Sequence, residues 1–280
     1  MPPRRWVIGL LLALLLATTI IRIWLIANQW GFEDVDAYWD AATRLKTGQP
    51  LYPVGIDPDN YRVFRYAPWF AWLWVPLTSL PQTLVEWVWG AILAAATIAI
   101  LYALLRLRSA ASVALALILA PWLLSLVQVG NIQPLVVAAL GFGMSRRSAP
   151  LWIGVTASLK AVPILWVIVL LARRQWLAIG AALVVAAVLA ASFLFYDLHG
   201  YVTDPGRSAF SLYYYISPQA WVVGAVVSTA VALYLAWIRS DWVWPAAAVA
   251  VMLVAPRSHV TYATYLAVGL LNGASDRIGR

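Results

Sequence analysis

Four carboxylates fall within eight residues, at Glu33, Asp34, Asp36 and Asp40. Like charges this close repel, and a carboxylate whose ionised form is disfavoured can take a proton from a hydroxyl. The same cluster also suits a solvated acidic turn at a helix start. A second ionisable group, Lys160, interrupts the apolar run Ala157-Ser158-Leu159-Lys160-Ala161-Val162-Pro163. An ammonium inside a membrane segment costs about 2.5–3.5 kcal/mol. It therefore needs an anionic partner such as a phosphate, or it snorkels to the headgroups. A third set is cationic: Arg257 and His259 behind Pro256, with Arg207, Arg62 and Arg65. Such groups suit a lipid phosphate, and equally serve as ordinary loop charge. In Gly130-Asn131-Ile132-Gln133-Pro134 two side-chain amides sit at a helix break, where they bind sugar hydroxyls or cap the helix. His199 beside Asp197 reads as a solvated loop pair.

Other chemistries are excluded. The chain has no cysteine, hence no disulfide framework, thiolate metal site or cysteine nucleophile. Phosphate loops, dinucleotide fingerprints, HExxH and Gly-x-Ser-x-Gly motifs are all missing. Only two histidines occur, far apart, and Asp34-Val35-Asp36 alone does not demand a divalent ion. No metal and no cofactor are expected.

The elements that must position these groups follow from composition. The 280 residues are 64% hydrophobic and 11% charged. Soluble domains carry about 25% charged residues, so this chain cannot cover a water-facing surface. The apolar runs are long and continuous rather than alternating, which argues for helices over a barrel. The fold class expected is an all-α polytopic integral membrane protein, one membrane domain over residues 1–280. The net charge of +8 is read as Lys and Arg kept on the cytoplasmic side, with no nucleic-acid partner.

Charge placement sets the threading. Six of the eleven acidic residues lie between residues 28 and 66. The basic pairs Arg106/Arg108, Arg146/Arg147 and Arg173/Arg174, and then Arg239, close apolar runs instead. With those pairs inside, an uncleaved helix 6–27 runs outward from a cytoplasmic N-terminus. Residues 28–66 then form an outer loop in which residues 36–46 make an interfacial helix. Helices 84–105, 110–127, 132–145, 176–196, 218–238, 242–255 and 260–271 alternate thereafter, with a second outer loop at 197–217. Segments 67–81 and 151–171 do not fit as simple spans. The first carries Pro68, Pro76 and Pro81, and the second is broken at Lys160 and Pro163, so each is expected to be a re-entrant hairpin. The total is eight to eleven membrane segments, with no duplicated half.

Those motifs, in this order, resemble the GT-C glycosyltransferases, and in particular glycosyltransferase family 87, the polyprenyl-phosphate-mannose-dependent mannosyltransferases. The likeness rests on Asp34-Val35-Asp36-Ala37-Tyr38-Trp39-Asp40, on Gly48-Gln49-Pro50-Leu51-Tyr52, and on Arg65-Tyr66-Ala67-Pro68. Downstream it rests on Gly130-Asn131-Ile132-Gln133, on Leu159-Lys160-Ala161-Val162-Pro163, and on Ala255-Pro256-Arg257-Ser258-His259. Family members are commonly longer, and Tyr66-Ala67-Pro68 stands where they have Tyr-Pro-Pro or Tyr-Thr-Pro.

The resemblance implies a GT-C-like helix bundle in a bacterial cell membrane. It implies inverting, metal-free transfer of a sugar, mannose first, from a polyprenyl phosphate to a lipid or glycan acceptor on the extracytoplasmic face. The catalytic aspartate falls on Asp34, with Asp36 beside it. Lys160, His259, Arg257, Arg207 and Arg65 would hold the donor phosphate, and Asn131, Gln133, Tyr38 and Tyr66 the sugar and acceptor. A transporter of an anionic or lipid-linked solute, and a non-catalytic GT-C-like scaffold, are the competing expectations.

Overall fold

The computed structural model describes residues 3–26, 31–204, 212–256 and 260–278. Among them there is helix and no strand. Among the described residues, four helices are long and apolar enough to cross a membrane: α4 (Gln82–Arg106), α5 (Ala110–Val129), the run Trp176–Phe195 and α11 (Pro218–Trp237). Their surfaces stay apolar where nothing covers them; Leu177 is 92% exposed and Trp237 84%. Water would not support such faces and lipid does. The protein is an all-α polytopic membrane protein.

The frame assembles around α5. Helix α1 (Pro3–Ile26) lies against it, and Thr19 Oγ1 donates to the Leu117 carbonyl at 2.8 Å. Ser109 and Ser112 cap each other reciprocally at the start of α5, and Gly130 ends it in the left-handed conformation at φ 76°. Helix α6 (Gln133–Gly143) follows at once.

Helix α2 (Glu33–Lys46) begins three residues before the expected 36–46. Its acids occupy the first turn and Arg44 and Lys46 the last, which matches the helix dipole at both ends. Val35, Ala37, Tyr38, Ala41 and Ala42 are buried, a stripe at helical spacing. Segment 67–81 is a layer alongside α2 rather than a hairpin dipping away from it. Prolines keep it short: helix α3 (Pro68–Trp74) passes into a 3₁₀ turn, Val75–Ser79. Both its ends stay at α2, since Tyr66 meets Tyr38 and Gln82 meets Asp36.

The hairpin expected at 151–171 is present. Helix α7 (Ala149–Lys160) stops where Ala161 turns to φ 53°. A 3₁₀ turn, Val162–Trp166, and helix α8 (Val167–Ala172) then lead back. Arg173 donates to the Met144 carbonyl at 3.4 Å, so the element leaves where it entered. With 12 residues, α7 is about 18 Å long, too short to cross a hydrocarbon core of about 30 Å.

The run Trp176–Phe195 consists of α9 (Trp176–Ala190) and a 3₁₀ turn, Ala191–Phe195. The short α10 (Leu212–Tyr215) precedes α11; α12 (Val243–Val254) and α13 (Tyr265–Ile278) close the bundle. The expected helix 260–271 is a 3₁₀ turn, Val260–Thr264, before α13 begins.

Charge separates along this frame. The loop at 53–66 meets the loop at 198–204: the Tyr201 hydroxyl donates to the Arg65 carbonyl at 3.1 Å, and Tyr52 and Tyr201 pack edge to face at 5.0 Å. A Cβ on Gly200 would lie 2.0 Å from the Tyr52 carbonyl oxygen, so only glycine permits this approach. At the other end of α7, Arg146, Arg147, Arg173, Arg174 and Arg239 gather around two adjoining cavities that share Arg173.

Candidate functional site

The site forms where the start of α2 docks on the end of α5. The Phe32 backbone N–H donates to the Gln128 carbonyl at 3.1 Å, and Trp89 Nε1 donates to the Gly130 carbonyl at 2.8 Å. Gly130 is needed for two reasons. Its φ is positive, and a Cβ there would sit 2.4 Å from Val35 Cγ2. This docking delivers Asp34, one residue before Val35, to Asn131, one residue after Gly130.

Asn131 Nδ2 donates to Asp34 Oδ2 at 2.5 Å. Asn131 Oδ1 accepts from Lys160 Nζ at 3.2 Å and from the Gln133 backbone N–H at 2.8 Å. One amide thus joins the carboxylate and the ammonium. Those bonds and the width of an amide put Asp34 Oδ2 and Lys160 Nζ at most roughly 8 Å apart. Lys160 Nζ also lies 5.6 Å from the centre of the Tyr262 ring, a cation–π contact. Asp34, Asn131 and Lys160 are each half-buried, so the group borders open space.

Tyr38 and Tyr66 back this group. The Tyr38 hydroxyl donates to that of Tyr66 at 3.2 Å and accepts from the Ile132 N–H at 3.4 Å. Tyr38 is 0% exposed, with its ring centre 5.0 Å from those of Phe70 and Trp74. Burial first, and then the neighbouring phenol and the Asp34 carboxylate, push its hydroxyl well above the usual tyrosine range. Tyr66 is pushed up by burial and then by Asp34. Both therefore stay neutral donors. The Tyr38 ring is enclosed, and its hydroxyl ties α2 to Ile132, the residue before α6, while Tyr66 lies beside it.

Other expected residues stand elsewhere. Asp36 follows Asp34 by two positions, about 200° around the helix. Its carboxylate accepts from Gln82 Nε2 at 2.8 Å and pairs with Arg62 at 3.4 Å, away from Lys160. Asp40 adds a second contact to Arg62 at 3.6 Å. The Arg65 guanidinium donates to the carbonyls of Asp204, at 3.0 Å, and Pro58, so it staples the two loops. Gln133 is 1% exposed and its amide nitrogen donates to Thr264 Oγ1 at 3.4 Å. His199 does pair with Asp197 on the surface, at 2.6 Å. Arg207, Arg257 and His259 lie outside the described residues. Among those described, no cluster of His, Asp or Glu is arranged to hold a metal ion.

Sequence reasoning missed three neighbours. Tyr262 holds Lys160, Trp69 Nε1 donates to Ser158 Oγ at 3.2 Å, and Phe32 turns the chain into α2 at φ 48°. Tyr262 lies three positions beyond His259, which was the available signal. One tryptophan among 17 gives none.

No curated protein and no solved structure matches the chain. The model of glycosyltransferase family 87 does, over residues 64–204. That span carries Arg65, Tyr66, Asn131, Gln133 and Lys160, and ends within the 197–217 loop, before Arg207. It begins after α2, so Asp34 stands outside it. Half of the sequence, with the amide and the ammonium of the cluster, follows the family pattern: the chain belongs to glycosyltransferase family 87 and is a membrane glycosyltransferase.

Proposed function

We propose that this enzyme moves a sugar, mannose first, from a polyprenyl-phosphate donor to a lipid or glycan acceptor, with inversion and with Asp34 as general base. The observation that carries the reading is the hydrogen-bonded series Asp34, Asn131, Lys160. Asp34 takes the proton of an acceptor hydroxyl. That oxygen attacks the anomeric carbon on the face opposite the phosphate, and the carbon–oxygen bond to the phosphate breaks. Lys160 neutralises the charge that collects on the departing lipid phosphate. Phosphate leaves without a general acid, so one base suffices.

The face is part of the proposal. Residues 28–66 and 197–217 are taken as extracytoplasmic loops, with α2 as the interfacial helix, because the arginines gather at the opposite end. The N-terminus is then cytoplasmic and the membrane that of a bacterial cell. The test is incubation of the purified protein in membranes with radiolabelled polyprenyl-phosphate mannose and total lipid extract. Label should move to a new product with the native chain and not with Asp34→Asn. Equal transfer by both would remove Asp34 from the reaction. Uptake of label into sealed vesicles without a new product would favour a transporter.

A further inference from the structure

The two arginine pairs at the far end of α7 converge on one cavity of about 640 Å³. Arg146 and Arg147 precede α7, Arg173 and Arg174 follow α8, and the hairpin brings them together. A bias of basic residues toward one side of the membrane accounts for their sidedness but not for a shared cavity. No acidic residue lines it. None of the ion pairs formed among the described residues involves Arg146, Arg147 or Arg174. Arg173 is shared with the adjoining cavity, which Asp241 lines; the other three positive charges, Arg146, Arg147 and Arg174, are held together without a carboxylate in this wall, an arrangement that an anion stabilises.

The other walls narrow the choice of anion. Trp176 and Leu177 also line the cavity, and they are 63% and 92% exposed. They open the run Trp176–Phe195, one of the membrane-crossing helices, so this rim lies where headgroups meet hydrocarbon. Guanidinium forks match phosphate oxygens in pairs. An indole and a bare leucine beside them suit a glycerol backbone and the first carbons of acyl chains. The volume falls in the ~300–1,000 Å³ range of small-molecule sites.

We propose that this cavity is a phosphate site for the headgroup of an anionic phospholipid, separate from the Asp34 cluster. The full-length protein in nanodiscs of mixed phosphatidylcholine and phosphatidylglycerol, released into native mass spectrometry, should carry a phosphatidylglycerol adduct. Arg146→Gln/Arg147→Gln/Arg174→Gln should lower adduct occupancy by about tenfold, the loss of a charge-assisted contact or more. Arg146→Lys/Arg147→Lys/Arg174→Lys keeps every charge, and so the membrane orientation, while removing the forks; it should weaken the adduct severalfold. Equal occupancy in the native and glutamine forms would overturn the site. Displacement of phosphatidylglycerol by millimolar inorganic phosphate would overturn the lipid as its source and leave a soluble phosphate instead.

Discussion

Asn131 donates its side-chain amide to Asp34 at 2.5 Å across 97 positions of sequence. The contact depends on a hinge-free junction in which α2 is bonded directly to the end of α5. The orientation of the carboxylate is thereby set by a helix break and not by a loose loop.

Removing that amide should cost turnover rather than folding. Asn131→Ala loses the contacts to both Asp34 and Lys160, and a base displaced by an ångström costs up to about 100-fold. We expect kcat at saturating donor to fall about 10–100-fold with unchanged helical content by circular dichroism. Turnover within twofold of native would place Asn131 outside the mechanism.

Lys160→Ala should raise the donor KM about tenfold, the worth of one charged hydrogen bond, with Lys160→Arg intermediate. Titration of the polyprenyl-phosphate donor at fixed acceptor gives the value. A donor KM and a kcat that both stay at the native values would make the lysine purely structural.

Arg65→Ala separates stapling from phosphate binding. The side chain is occupied by carbonyls at 58 and 204, so its loss should expose the 53–66 segment to protease severalfold faster. A rise in donor KM matching that of Lys160→Ala would instead return Arg65 to the phosphate.

Gly130→Ala tests the junction itself. A methyl group 2.4 Å from Val35 Cγ2, on a backbone at φ 76°, should destabilise the protein by about 1–3 kcal/mol. The thermal unfolding midpoint in detergent should drop, and Val35→Ala should restore part of it. An unaltered midpoint would show that α2 does not rest on this turn.

The loop layer should loosen in alkali. Burial pushes the hydroxyls of Tyr38, Tyr52, Tyr66 and Tyr201 above the usual tyrosine range. Their neutral forms are favoured in the folded state. The stability they contribute is complete below the unfolded value of about 10 and declines as pH rises beyond it. Tyrosinate absorbance should therefore appear in two steps, the later one coinciding with faster proteolysis of residues 53–66. A single step would contradict the burial of these phenols.

Much of this was legible in the sequence, for identifiable reasons. The helical membrane class followed from apolar runs that no soluble surface could hide. The hairpin at 151–171 followed from basic flanks on both sides of one run broken at Lys160 and Pro163. Asp34, Asn131 and Lys160 were each singled out, but their joining through one amide was not, because 97 and 29 positions of chain separate the partners. Tyr38 and Gln133 were read as substrate contacts because aromatic and amide side chains serve either purpose. The structure finds both buried, and burial depends on neighbours distant in the chain. Asp36 was grouped with Asp34 by proximity, and the helix that begins at Glu33 turns them apart.

The half-crossing α7 carries a consequence for biogenesis. An element that enters and leaves by one side cannot be threaded as an ordinary span, and the cover of its inner end includes α6, α9, Trp69 and, from far downstream, Tyr262. Its lysine therefore acquires a sheltered environment late, after helices translated up to a hundred positions downstream have arrived. The chain would assemble its reactive centre only once nearly all of it has been synthesised.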